Sequence, residues 1–231
     1  RDQGGSGFVG SMTTADGATT TFQRDYAGRV LNKINPLGYT NSSTYNDAGF
    51  VSTKTDELGA STSYTRNTNN QPTRTDYPDG TFEEWTYNQY GQVLTHRQRD
   101  TGTETFGYYA AGESGGLPGD LKARTNALGG VTTYTWNSAG LPISTTDVRS
   151  NTVSVSYNWR GNLLFQTNAD QTVVSYQYDS FGNQTNKIDE LGRPTESTYD
   201  EFNRVKSVRD PLGRVTTYEY GLAPGCGCGT F

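Results

Sequence analysis

A glycine recurs in this chain every 21 residues, and that metre restricts the fold more than any other feature. The first run of slots is Gly28, Gly49, Asn70, Gly91 and Gly112. A second run, Gly119, Gly140, Gly161, Gly182, Asn203 and Pro224, keeps the interval but starts seven residues late. A seven-residue insertion, 113–119, therefore interrupts one continuous register. A second series lies midway between these slots: Gly17, Gly38, Gly59, Gly80, Thr101 (with Gly102 adjacent), Gly129, Ser150, Gln171, Gly192 and Gly213. Self-similarity at a fixed short period marks one supersecondary unit copied many times.

The residues around the slots have turn chemistry. Asn35-Pro36-Leu37-Gly38, Asp56-Glu57-Leu58-Gly59 and Asp210-Pro211-Leu212-Gly213 each open on Asp or Asn and close on Gly. An opening Asp or Asn caps its own backbone, Pro presets φ, and Gly supplies the positive φ that L-residues avoid. Turns every 10 or 11 residues leave strands of about six residues, near 20 Å long, which reads as an antiparallel meander. Within a strand the pattern alternates: Val174, Tyr176 and Tyr178 share one face, and Val173, Ser175 and Gln177 the other. One aromatic slot holds Tyr45, Tyr87, Tyr108, Trp136, Tyr157, Tyr178, Tyr199 and Tyr220, broken by Arg24 and Arg66. Two residues earlier stand Phe22, Tyr64, Trp85, Phe106, Tyr134, Tyr176 and Tyr218. These slots predict two aromatic ladders stacked across neighbouring repeats. No 3.6-residue periodicity appears. The expectation is an all-β chain, residues 1–231, of about ten antiparallel hairpin repeats in one sheet. Twenty strands at ~4.8 Å span ~96 Å, more than an open sheet sustains without curling, so a curled, spiral sheet is expected.

Composition settles what the pattern leaves open. Only 31% of the 231 residues are hydrophobic, a level that favours disorder. Yet 12% are aromatic, and Thr, Val and Tyr suit a half-buried pleated surface. A net charge of −5 without Lys/Arg clusters argues against nucleic acid as a partner. No apolar run reaches the 18 residues of a membrane helix, so no membrane insertion is expected.

The segment Ser175-Tyr176-Gln177-Tyr178-Asp179-Ser180-Phe181-Gly182-Asn183, followed by Ile188-Asp189-Glu190-Leu191-Gly192-Arg193-Pro194-Thr195, resembles the RHS/YD-repeat family. So do Thr198-Tyr199-Asp200 and Asp210-Pro211-Leu212-Gly213-Arg214. The resemblance covers nearly the whole chain. It implies strands of a long sheet wound into a hollow shell, as in bacterial polymorphic toxins, insecticidal toxin complexes, wall-associated proteins and teneurins. It also implies a piece of a larger secreted or cell-surface protein, whose shell can sequester a C-terminal toxin. On this reading the segment is a non-catalytic scaffold, and its main partner is the rest of the same polypeptide.

Several short matches invite chemistry. Asp100-Thr101-Gly102-Thr103 has the form of an aspartic-protease loop, but it falls on a midway turn and has no second copy. Glu113-Ser114-Gly115-Gly116 resembles the surroundings of a nucleophilic serine. The single histidine, His96, is expected on an exposed strand position, away from any triad. Cys226 and Cys228 supply two ligands where tetrahedral zinc needs four; they are read as small strand residues or as partners of a segment elsewhere. Asn41 and Asn183 stand in glycosylation sequons. Turn aspartates suggest calcium, though self-capping competes. No catalytic residue, cofactor or metal is assigned. Two further partner classes stay open: glycans on the aromatic ladder, and copies of the chain pairing through sheet edges.

Overall fold

The computed structural model describes residues 7–221. They form twenty β-strands in an antiparallel sheet that does not close on itself, from β1 (Ser11–Thr13) to β20 (Val215–Thr217), with no helix among them. The chain divides into two compact units. One runs to Gly107 and includes Arg124–Gly130; the other holds Tyr108–Ala123 and the residues from Val131 on.

Each hairpin follows from its turn. At 56–60 the Asp56 N–H donates to the Ala60 carbonyl at 3.0 Å, and the Gly59 N–H to the Asp56 carbonyl at 3.1 Å. Asp56 Oδ1 accepts the N–H groups of Leu58 and Ala60, both at 2.9 Å. This is a three-residue loop whose last residue is left-handed. Gly59 has φ +83°, and no atom would meet an added Cβ there. The slots that lack glycine adopt the same conformation: Asn70, Ser150, Gln171 and Asn203 have φ of 60°, 66°, 69° and 60°. The repeat therefore imposes left-handed backbone wherever its register falls. The slot at Thr101 departs from the expected pattern. Positive φ moves to Gly102, at 90°, which pairs with Gln98 across the loop. Threonine is β-branched and resists that region, and the adjacent glycine takes it instead.

The two ends of the repeat differ. Where β3 (Val30–Ile34) meets β4 (Thr40–Tyr45) the register is regular. Where β2 (Thr19–Arg24) meets β3, it shifts between Gln23 and Arg24, so that Leu31 is an extra residue. The same bulge recurs at Tyr45, Arg66, Tyr87, Trp136, Tyr157, Tyr178 and Tyr199. A bulge locally raises twist and re-aims side chains, here always at the aromatic slot.

The insertion is absorbed inside one turn. The Tyr109 N–H donates to the Asp120 carbonyl at 3.0 Å, and the Gly119 N–H to the Tyr109 carbonyl at 2.9 Å. These are the bonds that close every other turn. Nine residues, 110–118, separate this closing pair where two separate Asp25 from Gly28, a difference of seven. Glu113 organises the added loop: its carboxylate accepts the Ala110 N–H at 2.8 Å and pairs with Lys122 at 2.7 Å.

Burial is sparse. Among the described residues only Tyr109, Val174 and Thr75 fall below a tenth of full exposure. Val174 is 4% exposed and its neighbour Val173 44%, as the alternation predicts. Because no described element lies outside the sheet, stability rests on strand-to-strand bonds.

Candidate functional site

The aromatic columns do not stack ring on ring as expected. Equivalent residues lie two strands apart, about 9.6 Å, and the strand between fills the gap. Lys33 stands opposite Phe22, Lys187 opposite Tyr176 and His96 opposite Trp85. Trp85 and His96 do stack, with ring centres 4.8 Å apart.

The aromatic slot has a different task. The Tyr178 hydroxyl donates to the Leu163 carbonyl at 2.8 Å. Tyr45 reaches Val30, Tyr87 Pro72, Tyr157 Pro142, Tyr199 Gln184 and Tyr220 Val205, each fifteen residues back and at 2.6–2.8 Å. Trp136 makes the same bond through its indole N–H to Leu121 at 2.7 Å. The acceptor is the first residue of the preceding strand, next to the extra residue of the bulge, as Val30 is to Leu31 and Leu163 to Leu164. Each aromatic thus staples its hairpin to the previous one. Burial pushes the Tyr87 and Tyr178 phenols above their ordinary titration range, so the donor proton is retained. Arg24 fills the slot in kind: its Nε donates to the Val9 carbonyl, also fifteen back, at 3.2 Å, and Nη1 to Gly28 at 2.8 Å. At Arg66, Nη1 binds the Asn70 carbonyl at 2.9 Å, but its buried Nε has no partner.

Tyr178→Phe is expected to lower stability by about 0.5–1.5 kcal/mol, the net value of one hydrogen bond, as a fall in the urea midpoint. An unchanged midpoint would contradict the staple.

On the opposite face runs a hydroxyl ladder that the sequence reading missed. Thr44 meets Thr53 at 2.6 Å, Thr86 meets Thr95 at 2.7 Å, Thr135 meets Ser144 at 2.6 Å and Thr198 meets Ser207 at 2.7 Å. Hydroxyl residues nine apart, the first just before the aromatic slot, were the available signal.

The chemistry suspected at other positions is absorbed by structure. Turn carboxylates are turned onto their own loops. Asp189 takes the N–H groups of Leu191 and Arg193 on Oδ1 and the Arg193 guanidinium on Oδ2, at 2.7–3.0 Å. Hydrogen bonds from Arg193, Asn151, Thr172 and Asn183 hold Asp189, Asp147, Asp170 and Asp179 below the ordinary carboxylate value. A carboxyl lowered in the folded state stabilises the fold above its unfolded pKa, and that contribution disappears as acid protonates it. Stability is therefore expected to fall once pH drops below about 4. Asp189→Asn, which keeps the cap as Asn35 does at 3.0 Å, should flatten that loss in acid titrations followed by circular dichroism.

Asp100 and Thr101 lie in the connection between β9 (Val93–Gln98) and β10 (Gly102–Tyr108), and Gly102 opens the second of these strands. The sequon residue Asn183 donates its amide to Asp179 at 2.9 Å and to Asn203 at 2.8 Å; Asn41 donates to Glu57 at 3.4 Å. His96 is not exposed as expected: its side chain is 24% exposed, because its position faces Trp85. Cys226, Cys228 and the Pro224 slot lie outside the described residues. No group of three or more metal-ligating side chains is present among the described residues.

A bulged meander with a backbone staple in most of its repeats and almost no buried core defines a class: a repeat-built β-sheet scaffold. The RHS repeat family profile matches residues 45–81, 119–152, 157–194 and 199–223, more than half of the chain. This chain belongs to the RHS-repeat family. No curated protein matches it in sequence. Among solved structures, TcdB2-TccC3-Cdc42 aligns with 91% of this chain at 17% identity and a TM-score of 0.53. TcdB2-TccC3-TEV aligns with 89% at 16% identity and 0.57. A Photorhabdus luminescens Tc holotoxin pore with a TccC3 mutation aligns with 91% at 17% identity and 0.52. The alignment covers 14% of each of those chains. What is shared with them is the fold.

Proposed function

We propose that this segment is a non-catalytic length of shell wall in a larger secreted or cell-surface RHS-repeat protein, where it helps to enclose a C-terminal toxin. One observation carries the reading. Across 215 described residues (7 to 221) only two hydrophobic side chains and one threonine are buried. A sheet that buries so little of itself is suited to be a partition, and its turns, bulges and staples serve continuity along the array. Membership of the RHS-repeat family, whose shells can sequester a C-terminal toxin, supports an enclosed cargo. The hydroxyls of Tyr45, Tyr87, Tyr178 and Tyr199 are spent on backbone carbonyls, which favours the scaffold reading over glycan binding along that column.

The test is protease protection of the parent protein. Enclosure predicts that sequence C-terminal to the repeats survives trypsin under native conditions and is cut promptly once the wall is unfolded in urea. Equal cutting rates in both conditions would sink it.

A further inference from the structure

We propose that His96 is a proton-operated latch that tightens the patch formed by β8 (Phe82–Tyr87), β9 (Val93–Gln98) and β10 (Gly102–Tyr108) in acid. The proposal adds a condition-dependent element to the sheet and does not depend on what the wall encloses. His96 is the single histidine of the chain. On β9 it faces Trp85 of β8 on one side and Glu104 of β10 on the other. The imidazole lies on the indole with 11° between planes. Its Nε2 is buried and has no hydrogen-bond partner among the described residues. Glu83 Oε2 stands 4.0 Å from that nitrogen, beyond hydrogen-bond reach but within ion-pair range.

The charged and titratable surroundings favour one direction. Glu83 approaches from β8 and Glu104 from β10, and their side chains are only 24% and 12% exposed. The neighbouring cations are committed elsewhere: Arg124 binds Glu104 at 2.5 Å, and Arg99 pairs with Asp79 and lies over the Tyr77 ring. The Tyr77 phenol hydrogen-bonds Glu83. On β9 itself the same-face neighbours, Leu94 and Gln98, carry no charge. A neutral imidazole leaves Nε2 unsatisfied. A proton taken from solvent gives both ring nitrogens an N–H, supplies Nε2 with a donor for Glu83, and places a cation over the Trp85 face. β8 and β9 are already paired, so closing the 4.0 Å gap takes only a side-chain adjustment and adds a cross-strand ion pair.

A double-mutant cycle with His96→Gln and Glu83→Gln, measured by urea unfolding of the full chain, tests the latch. The pair should be coupled by about threefold in the unfolding equilibrium near pH 5 and uncoupled near pH 8, the scale of a partly exposed ion pair. No coupling at either pH overturns the proposal. Because Glu83→Gln also alters the Tyr77 bond, indole emission of the unmodified protein gives a second reading. An imidazolium stacked on Trp85 should quench it as the protein is acidified, a change missing in His96→Gln. A flat profile would equally overturn it.

Discussion

Tyr109→Ala is expected to destabilise the protein by about 3–5 kcal/mol, the range for deleting a buried aromatic side chain. Tyr109 is 7% exposed, and the insertion is built around it. Its hydroxyl donates to the Tyr134 carbonyl at 2.8 Å, and Gly115 and Gly116 press on the ring. A Cβ on Gly116 would stand 2.4 Å from Tyr109 Cδ2, and one on Gly115 2.7 Å from its oxygen. The Gly115 carbonyl also accepts the Trp136 N–H at 2.7 Å. Removing the ring takes the floor from under the loop, so 110–118 should become a preferred protease site. Tyr109→Phe keeps the ring and loses one bond, about 1 kcal/mol. Gly116→Val should approach the alanine effect by forcing the ring out. Urea unfolding with limited proteolysis separates these cases; an alanine variant within 1 kcal/mol of the parent would refute the plug role.

Gly59→Val should cost about 2–3 kcal/mol without any clash. No atom lies within 4 Å of the added Cβ, and φ is +83°, so the whole effect is the penalty of a β-branched residue in left-handed backbone. Gly59→Asn should cost less than about 1 kcal/mol, because asparagine tolerates this region and Asn70 and Asn203 already occupy it. In the opposite sense, Gln171→Gly should relieve strain at φ 69° and raise stability, by about 0.5–1 kcal/mol after the entropy glycine adds to the unfolded chain. Thermal unfolding ranks the three. If Val and Asn at position 59 behaved alike, backbone conformation would not be the controlling term.

The order of effects mirrors what could be read without coordinates. The turns were legible because their determinants are local: an Asp or Asn, two loop residues, a glycine and the residue after it contain the entire hydrogen-bond scheme. Strand positions and face alternation followed from the spacing. The staple was not legible. Tyr178 was visible as a periodic aromatic, but its partner Leu163 lies on a neighbouring strand beside a bulge, and only the pairing register brings the two together. Arg24 looked like a defect in the column, yet its guanidinium makes the same fifteen-residue bond. His96 looked like a surface residue because only cross-strand register puts it on Trp85.

The sequence by itself determined where this chain reverses and which residues alternate, since both are properties of consecutive residues. The tertiary structure decided what the tyrosines do, how seven added residues are closed under Tyr109, and which side chains the single histidine meets. Those outcomes depend on the pairing offset between strands. A single bulged residue resets that offset, and nothing in the local composition around Arg24 or Tyr45 announces it.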